Sequence, residues 1–104
     1  MPLFLVTYTH PDETGWQAHV MAHVAWLQDQ VKAGAVIASG PMPGEADRAA
    51  LLVMAAADEV SVREIIATDP FAVEGLIAEL TVRAWDPIFG CFNDRSSMVG
   101  MFGQ

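Results

Sequence analysis

Cysteine and basic residues are scarce in this 104-residue chain. The single cysteine, Cys91, cannot form an internal disulfide, which favours a reducing, cytoplasmic location. Five basic against 13 acidic residues give a formal net charge of −8, so no nucleic-acid or anionic membrane surface is expected as a partner. No apolar run approaches the roughly 20 residues that span a bilayer. We also expect no secretory signal, because the N-terminus lacks a basic segment and a cleavage site.

Apolar residues, by contrast, make up 53% of the chain, which is rich for one domain of this size. Four short β-branched or aromatic segments alternate with two longer helical patterns. The strands are predicted at 3–9, 35–39, 49–56 and 80–85, and the helices at 14–33 and 61–68. This β-α-β-β-α-β order predicts an α+β, ferredoxin-like domain with a four-stranded antiparallel sheet and both helices on one face.

The first strand is apolar on both of its alternating sets, Leu3/Leu5 and Phe4/Val6. Because an antiparallel sheet normally leaves one face to water, the second face needs a cover. We expect a second copy of the chain to supply it, giving a homodimer built as a dimeric α+β barrel. Residues 1–86 form the predicted domain, and 87–104 a C-terminal tail that either lies over the partner subunit or is partly disordered.

Local signals define the ends of these elements. Thr14 with Gln17, and Ser61 with Glu64, have capping-box spacing at the two helix starts. Gly34 is predicted to end the first helix in a left-handed conformation, and Gly40-Pro41 to stop the second strand. Residues 42–48 form a polar surface loop suited to act as a lid.

One ionisable residue stands where an apolar residue is expected. At about 100° per residue the first helix has a single apolar stripe, and His23 falls inside it. The stripe comprises Trp16, Val20, Val24, Leu27 and Val31. A buried imidazole requires a hydrogen-bond partner, and its pKa near neutrality suits it to proton transfer. The alternative is a core histidine satisfied by a backbone carbonyl.

A metal site is a second alternative for His23. His19 and His23 lie four residues apart on one helix face, a spacing that can share a metal ion. With Asp69 they would make two histidines and a carboxylate, the ligand set of non-haem iron centres. The glutamate that follows the first histidine in metalloproteases is missing, so we predict no metal and no cofactor.

Four motifs, taken in order, resemble the YciI-like (YCII-related) proteins. They are His23-Val24-Ala25-Trp26-Leu27, the stretch from Gly34 to Gly40-Pro41, Asp69-Pro70-Phe71 with Gly75-Leu76, and Arg83-Ala84-Trp85. The resemblance covers about residues 3–86 and implies small dimers of ferredoxin-like subunits. It also implies that His23 and Asp69 form a catalytic dyad. Substrate contacts are expected from Trp26, Ser39, Gly40, Pro41 and Phe71.

Three functions fit this reading of the sequence. The first is a cofactor-independent enzyme, similar to lyases, isomerases or dehydrochlorinases, whose His23–Asp69 dyad transfers a proton on a small unsaturated or aromatic substrate. The second is a non-catalytic dimer that binds a small ligand in the same pocket. The third is oxygenase-like chemistry of other dimeric α+β barrels, a similarity of fold alone.

Overall fold

The structure, a computed structural model, describes residues 1–101 of the chain. Strands and helices follow the order expected from the sequence, and they include the short extra helical turn that Asp69-Pro70-Phe71 predicts, with Asp69 as its N-cap. They are β1 (Leu3–His10), α1 (Glu13–Ala33), β2 (Val36–Pro41), β3 (Arg48–Ala55), α2 (Glu59–Ile66), α3 (Pro70–Val73) and β4 (Ala78–Trp85). A 3₁₀ turn at Asn93–Arg95 lies in the C-terminal tail, and the last three residues of that predicted tail fall outside the described range.

The four strands form one antiparallel sheet in the order β2-β3-β1-β4. Strand β1 is central, and its Val6 lies opposite Leu52 of β3 and Val82 of β4. This topology confirms the predicted ferredoxin-like α+β fold. No helix within residues 1–101 combines the length and the apolar character that a bilayer crossing requires.

The main core lies between the sheet and its helices. Alternate β1 residues Phe4, Val6 and Tyr8 point to this side and are buried. Val62 and Ile66 of α2 pack against the same cluster, because they lie one helical turn apart on one face of that helix. Burial of these alternate residues holds strand β1 in place against the helices.

The opposite face of the sheet carries a second, smaller apolar cluster. Leu3, Val53 and Ala55 are its buried members, and Phe92 of the tail packs against them. A hydrogen bond also ties the tail to the end of the domain, because the backbone N–H of Ser97 donates to the Asp86 carboxylate. Part of the second face is thus covered by the chain's own tail, while the predicted contribution of a partner subunit remains a prediction.

Both predicted capping boxes are wrong. Helix α1 begins one residue before Thr14, and the Asp12 side chain accepts a hydrogen bond from Gly15 N. Helix α2 begins before Ser61, whose N–H donates to Asp58. In each case an aspartate earlier in the chain caps the helix, and its negative charge also interacts favourably with the positive end of the helix dipole, which a neutral hydroxyl does not.

The predicted end of α1 is confirmed, and the predicted end of β2 is wrong. Gly34 ends α1 at φ 80°, which confirms the left-handed cap. Strand β2, however, continues through Gly40 to Pro41, which pairs with Ala50. Proline is accommodated there because β2 is an edge strand, where a missing N–H costs no ladder bond on the open side.

Candidate active site

A cavity of about 1360 Å³ opens to solvent between α1 and the connection from β2 to β3. The apolar stripe of α1 forms one wall, comprising Trp16, Val20, Val24, Leu27 and Val31. Most of this stripe was expected to be packed, but within α1 only His23 and Trp26 are buried and Val31 is 55% exposed. The stripe is apolar because it lines a cavity in addition to bordering the core.

The imidazole of His23 meets the carboxylate of Asp69. Nδ1 of His23 lies 2.9 Å from Oδ2 and 3.0 Å from Oδ1 of Asp69, and both side chains are buried. Because a carboxylate only accepts hydrogen bonds, the proton is on Nδ1 of the ring. Nε2 keeps its lone pair, and His23 borders the cavity. The arrangement has the geometry of an oriented general base.

Asp69 has a second task in the backbone. It is the N-cap of α3, where its Oδ1 accepts from Phe71 N at 2.9 Å. Pro70 occupies the first position of α3, which suits proline because no helical hydrogen bond is required of that N–H. One fully buried carboxylate therefore holds both the imidazole of His23 and the chain segment that carries Phe71.

Aromatic rings enclose the dyad. The Phe71 ring stacks on His23 with centroids 4.3 Å apart, and Phe71 borders the cavity. Trp26 stacks on His23 at 5.9 Å, and its Nε1 donates to Thr68 Oγ1. Trp26 does not line the cavity, so the structure places this predicted substrate contact behind the histidine.

The other predicted contacts lie at the end of β2. Ser39, Gly40 and Pro41 form the cavity wall opposite the α1 stripe. The exposed loop from Met42 to Asp47 continues this wall. The structure thus brings Ser39, Gly40, Pro41 and Phe71 around one cavity with His23, although their contact with a substrate remains a prediction.

His10 is a site residue that sequence reasoning missed. The strand predicted from the sequence stops at residue 9, but His10 is the last residue of β1 and is only 4% exposed. Its Nδ1 lies 2.7 Å from the carbonyl oxygen of Leu76, and its ring packs on Phe71 at 4.4 Å. The available signal was the alternation of inward residues along β1, which continues from Tyr8 to His10.

The local sheet geometry next to His10 is irregular. Thr7 pairs with Thr81 but Thr9 pairs with Ala78, so β4 contains one extra residue at this point. Glu79 within this β-bulge has φ 50°, a left-handed conformation that is uncommon for a residue other than glycine. Bulges of this kind redirect the chain beside functional sites.

Burial changes the acid–base properties of His10. Desolvation lowers its pKa below 6.5, and the charges of His23 and Arg48 act in the same direction. The hydrogen bond to the Leu76 carbonyl and the negative charge of Asp69 oppose the shift. Burial thus favours the neutral form of the His10 imidazole.

Tyr8 is a further buried polar side chain near the dyad. Its hydroxyl has no hydrogen-bond partner among residues 1–101. Burial, with a smaller contribution from the charge of Asp69, raises the tyrosine pKa far above its ordinary value. Tyr8 therefore stays protonated and forms part of the low-dielectric support behind the site.

A charged cluster stands at the rim of the cavity. The guanidinium of Arg48 lies 3.5 Å from the centroid of the Trp16 ring, and its Nε is 2.7 Å from the Glu13 carboxylate. Hydrogen bonds from Arg48, and then from Gln17, lower the pKa of Glu13 to about 2. Arg48 is thus a fixed cation at the entrance, largely balanced by Glu13.

The alternative metal site is not assembled. In the described part of the chain, no three histidine, cysteine, aspartate or glutamate side chains converge so that they could hold one ion. His23 instead directs Nδ1 to Asp69, and His19 is not a member of the cavity wall. The ligand set proposed from the sequence therefore does not occur in this geometry.

Comparison with known proteins agrees with the motifs. The family model of the YCII-related domain matches residues 1–86. One similar solved structure is 5-chloro-2-hydroxyhydroquinone dehydrochlorinase (TftG) from Burkholderia phenoliruptrix AC1100 in complex with 2,5-dihydroxybenzoquinone. It is 26% identical, covers 81% of this chain and 93% of its own, and superposes with a TM-score of 0.68. No protein of curated function matches the chain.

Proposed function

Since the chain belongs to the YCII-related domain family, we propose that it is a small enzyme that transfers protons on a hydroxylated aromatic substrate and eliminates a halide from it. His23 is the acid–base residue, and Asp69 orients it. The observation that carries this proposal is the buried contact of 2.9 Å between His23 Nδ1 and Asp69 Oδ2, which leaves Nε2 for a substrate in the cavity. A similar structure, the dehydrochlorinase TftG, holds a dihydroxybenzoquinone.

Elimination from an aromatic ring consists mainly of proton transfers. A base removes the proton of a ring hydroxyl, and an acid adds a proton to the neighbouring carbon that bears chlorine, which gives a keto tautomer. Loss of a second hydroxyl proton then expels chloride and leaves a quinone. The sum is the loss of HCl, so neither an oxidant nor a reductant is consumed. Acid–base groups that are already oriented can supply every step.

The cavity wall suits such a substrate. Trp16 and aliphatic residues of α1 give a flat ring a largely apolar wall, and the buried Phe71 borders it. Ser39 and the imidazoles contribute the few polar groups that can orient hydroxyls. An apolar surrounding also strengthens the charge interaction within the dyad, because little water competes there.

The test is anaerobic turnover of a chlorinated trihydroxybenzene. Turnover is measured as chloride release and as the absorbance of the quinone product. His23→Gln and Asp69→Asn are each expected to lower kcat by about 10²- to 10⁴-fold. The double variant should lose little more than the worse single variant, because the two residues act as one unit. His19→Gln on the same helix is the matched control, since His19 lies outside the cavity wall. Full activity of folded His23→Gln would refute the proposal.

A further inference from the structure

We propose that His10 is a second catalytic base, which accepts a hydroxyl proton while His23 serves the ring carbon. This inference rests on the proposed function and assigns one of its three proton transfers to His10. His10 is buried at the end of β1 yet borders the same cavity as His23. The packing of His10 uses only one ring nitrogen, Nδ1, in a hydrogen bond to the Leu76 carbonyl, so a purely structural role does not account for the second nitrogen beside the cavity.

The hydrogen bonds of His10 fix its tautomer. A carbonyl oxygen only accepts, so the 2.7 Å contact with Leu76 O places the ring proton on Nδ1. Nε2 then carries a lone pair, and no described residue bonds to it. In its neutral form each imidazole thus has Nδ1 donating to a protein oxygen and Nε2 free to accept a proton, and His23 enters the reaction with a second proton on Nε2.

Phe71 holds the two imidazoles together. Its ring centroid lies 4.4 Å from that of His10 and 4.3 Å from that of His23. The rings are inclined to Phe71 by 52° and 24°, so the two imidazoles are not parallel. With one phenyl ring in common, both bases are close enough to reach different positions of a single six-membered substrate.

The two imidazoles have different partners, and this difference separates their roles. Asp69 is a carboxylate and stabilises the imidazolium that forms when His23 holds a second proton. Leu76 offers His10 only a neutral carbonyl. Burial lowers the pKa of His10, and the hydrogen bond to the Leu76 carbonyl opposes this shift; His23 and Arg48 lower the pKa by smaller amounts, and Asp69 raises it. Two titratable groups whose surroundings differ in this way are suited to act as base and acid in one step.

The proton balance assigns each transfer. Neutral His10 takes the proton of the ring hydroxyl through Nε2, and the His23 imidazolium gives its proton to the carbon that bears chlorine. His23, now neutral, takes the proton of the second hydroxyl as the carbon–chlorine bond breaks and chloride leaves. His10 finally releases its proton to water. The products are the quinone, chloride and one proton, and both histidines return to their starting states.

The experiment measures kcat/KM for a chlorinated trihydroxybenzene between about pH 5 and 9 in wild type, His10→Gln and His19→Gln. The base must be unprotonated, so activity of the wild type should fall on the acid side of its pH profile. In His10→Gln we expect a loss of about 10²-fold or more and disappearance of the acid-side fall that His10 causes. The ionisation of the substrate affects all variants equally. His19→Gln should therefore retain the wild-type pH profile.

Chemical rescue separates a base from a packing residue. His10→Ala leaves space beside Phe71. If a base is missing, added imidazole should raise the rate of this variant at least about ten-fold. Thermal unfolding of each variant shows whether the protein is folded, and affinity for 2,5-dihydroxybenzoquinone shows whether the cavity is intact. A folded His10→Gln that keeps both the rate and the acid-side fall overturns the role of His10.

The same data distinguish this inference from the proposed function. If the wild type does not release chloride, the proposed function fails and the role of His10 fails with it. If the wild type is active and His23→Gln is inactive, but neither His10 variant changes the pH profile or responds to imidazole, only the second base is refuted. A reduced rate with an unchanged profile and no rescue would make His10 a packing residue and also refutes the inference.

Discussion

Replacing Asp69 with asparagine is expected to reverse the tautomer of His23 while leaving the fold intact. Oδ1 of Asp69 accepts from Phe71 N, and Oδ2 lies 2.9 Å from His23 Nδ1. An asparagine that keeps its oxygen on Phe71 N turns its NH₂ group toward His23. The 2.9 Å contact would then join two donors, although the retained oxygen still lies 3.0 Å from Nδ1, so we expect the ring to move its proton to Nε2 and accept on Nδ1. Nε2 then becomes a donor and can no longer act as a base.

The magnitudes follow from these contacts. Asparagine is as good an N-cap as aspartate, so α3 keeps its start. A charge-assisted hydrogen bond becomes a neutral one in a fully buried position, which costs about 1–2 kcal/mol of unfolding free energy. The loss of a positioned base corresponds to about 10²- to 10⁴-fold in kcat. Activity should therefore fall far more than stability.

The assay is nitrogen NMR of the labelled imidazole, which distinguishes the protonated from the unprotonated ring nitrogen, combined with urea unfolding and turnover. Asp58→Asn is the matched control, because Asp58 also caps a helix by accepting from a backbone N–H, with Ser61 N at 2.8 Å, but is exposed and remote from the imidazoles. An Asp69→Asn variant that keeps its proton on Nδ1, or that keeps full turnover after the proton has moved, would refute this reasoning.

Three further outcomes are expected. Burial lowers the pKa of His10 below the 6.5 of the unfolded chain, so the unfolded state binds more protons and the unfolding free energy should fall as pH decreases from about 6.5; this fall should be smaller in His10→Gln. Phe71→Ala should lose about 3–5 kcal/mol in urea unfolding, because a ring that is 1% exposed is removed from between two imidazoles; a loss under about 1 kcal/mol would contradict that packing. Sedimentation should show a dimer at micromolar concentration, and Leu5→Glu on the second face of the sheet should shift it to monomer; a stable wild-type monomer would contradict the predicted pairing of sheets.

The sequence was sufficient for the fold because the fold depends on periodicity. The alternating residues of β1 and the left-handed Gly34 are local signals, and the structure agrees with both. The contact between His23 and Asp69 spans 46 residues, and only the resemblance of motifs brought the two together in advance.

Other features depend on competition that a local pattern does not resolve. Asp12 and Asp58 compete with Thr14 and Ser61 for the same helix starts, and a charged acceptor prevails over a hydroxyl. The predicted first strand ends before His10, yet pairing of His10 with Arg48 keeps it in the strand. The apolar stripe of α1 gave no indication that it faces an open cavity, because cavity walls and cores have similar compositions.

The N-cap of α3 has a dynamic consequence. A helix of four residues has almost no stability of its own, so its order depends on the Asp69 carboxylate that accepts from Phe71 N. A local opening of α3 that displaces Asp69 would free the imidazole of His23 and withdraw the Phe71 ring from both histidines. We therefore expect the site to disassemble as one unit, and the exchange of the Phe71 amide hydrogen with deuterium in the solvent would measure how often this occurs. A ligand that occupies the cavity should slow this exchange in proportion to its binding.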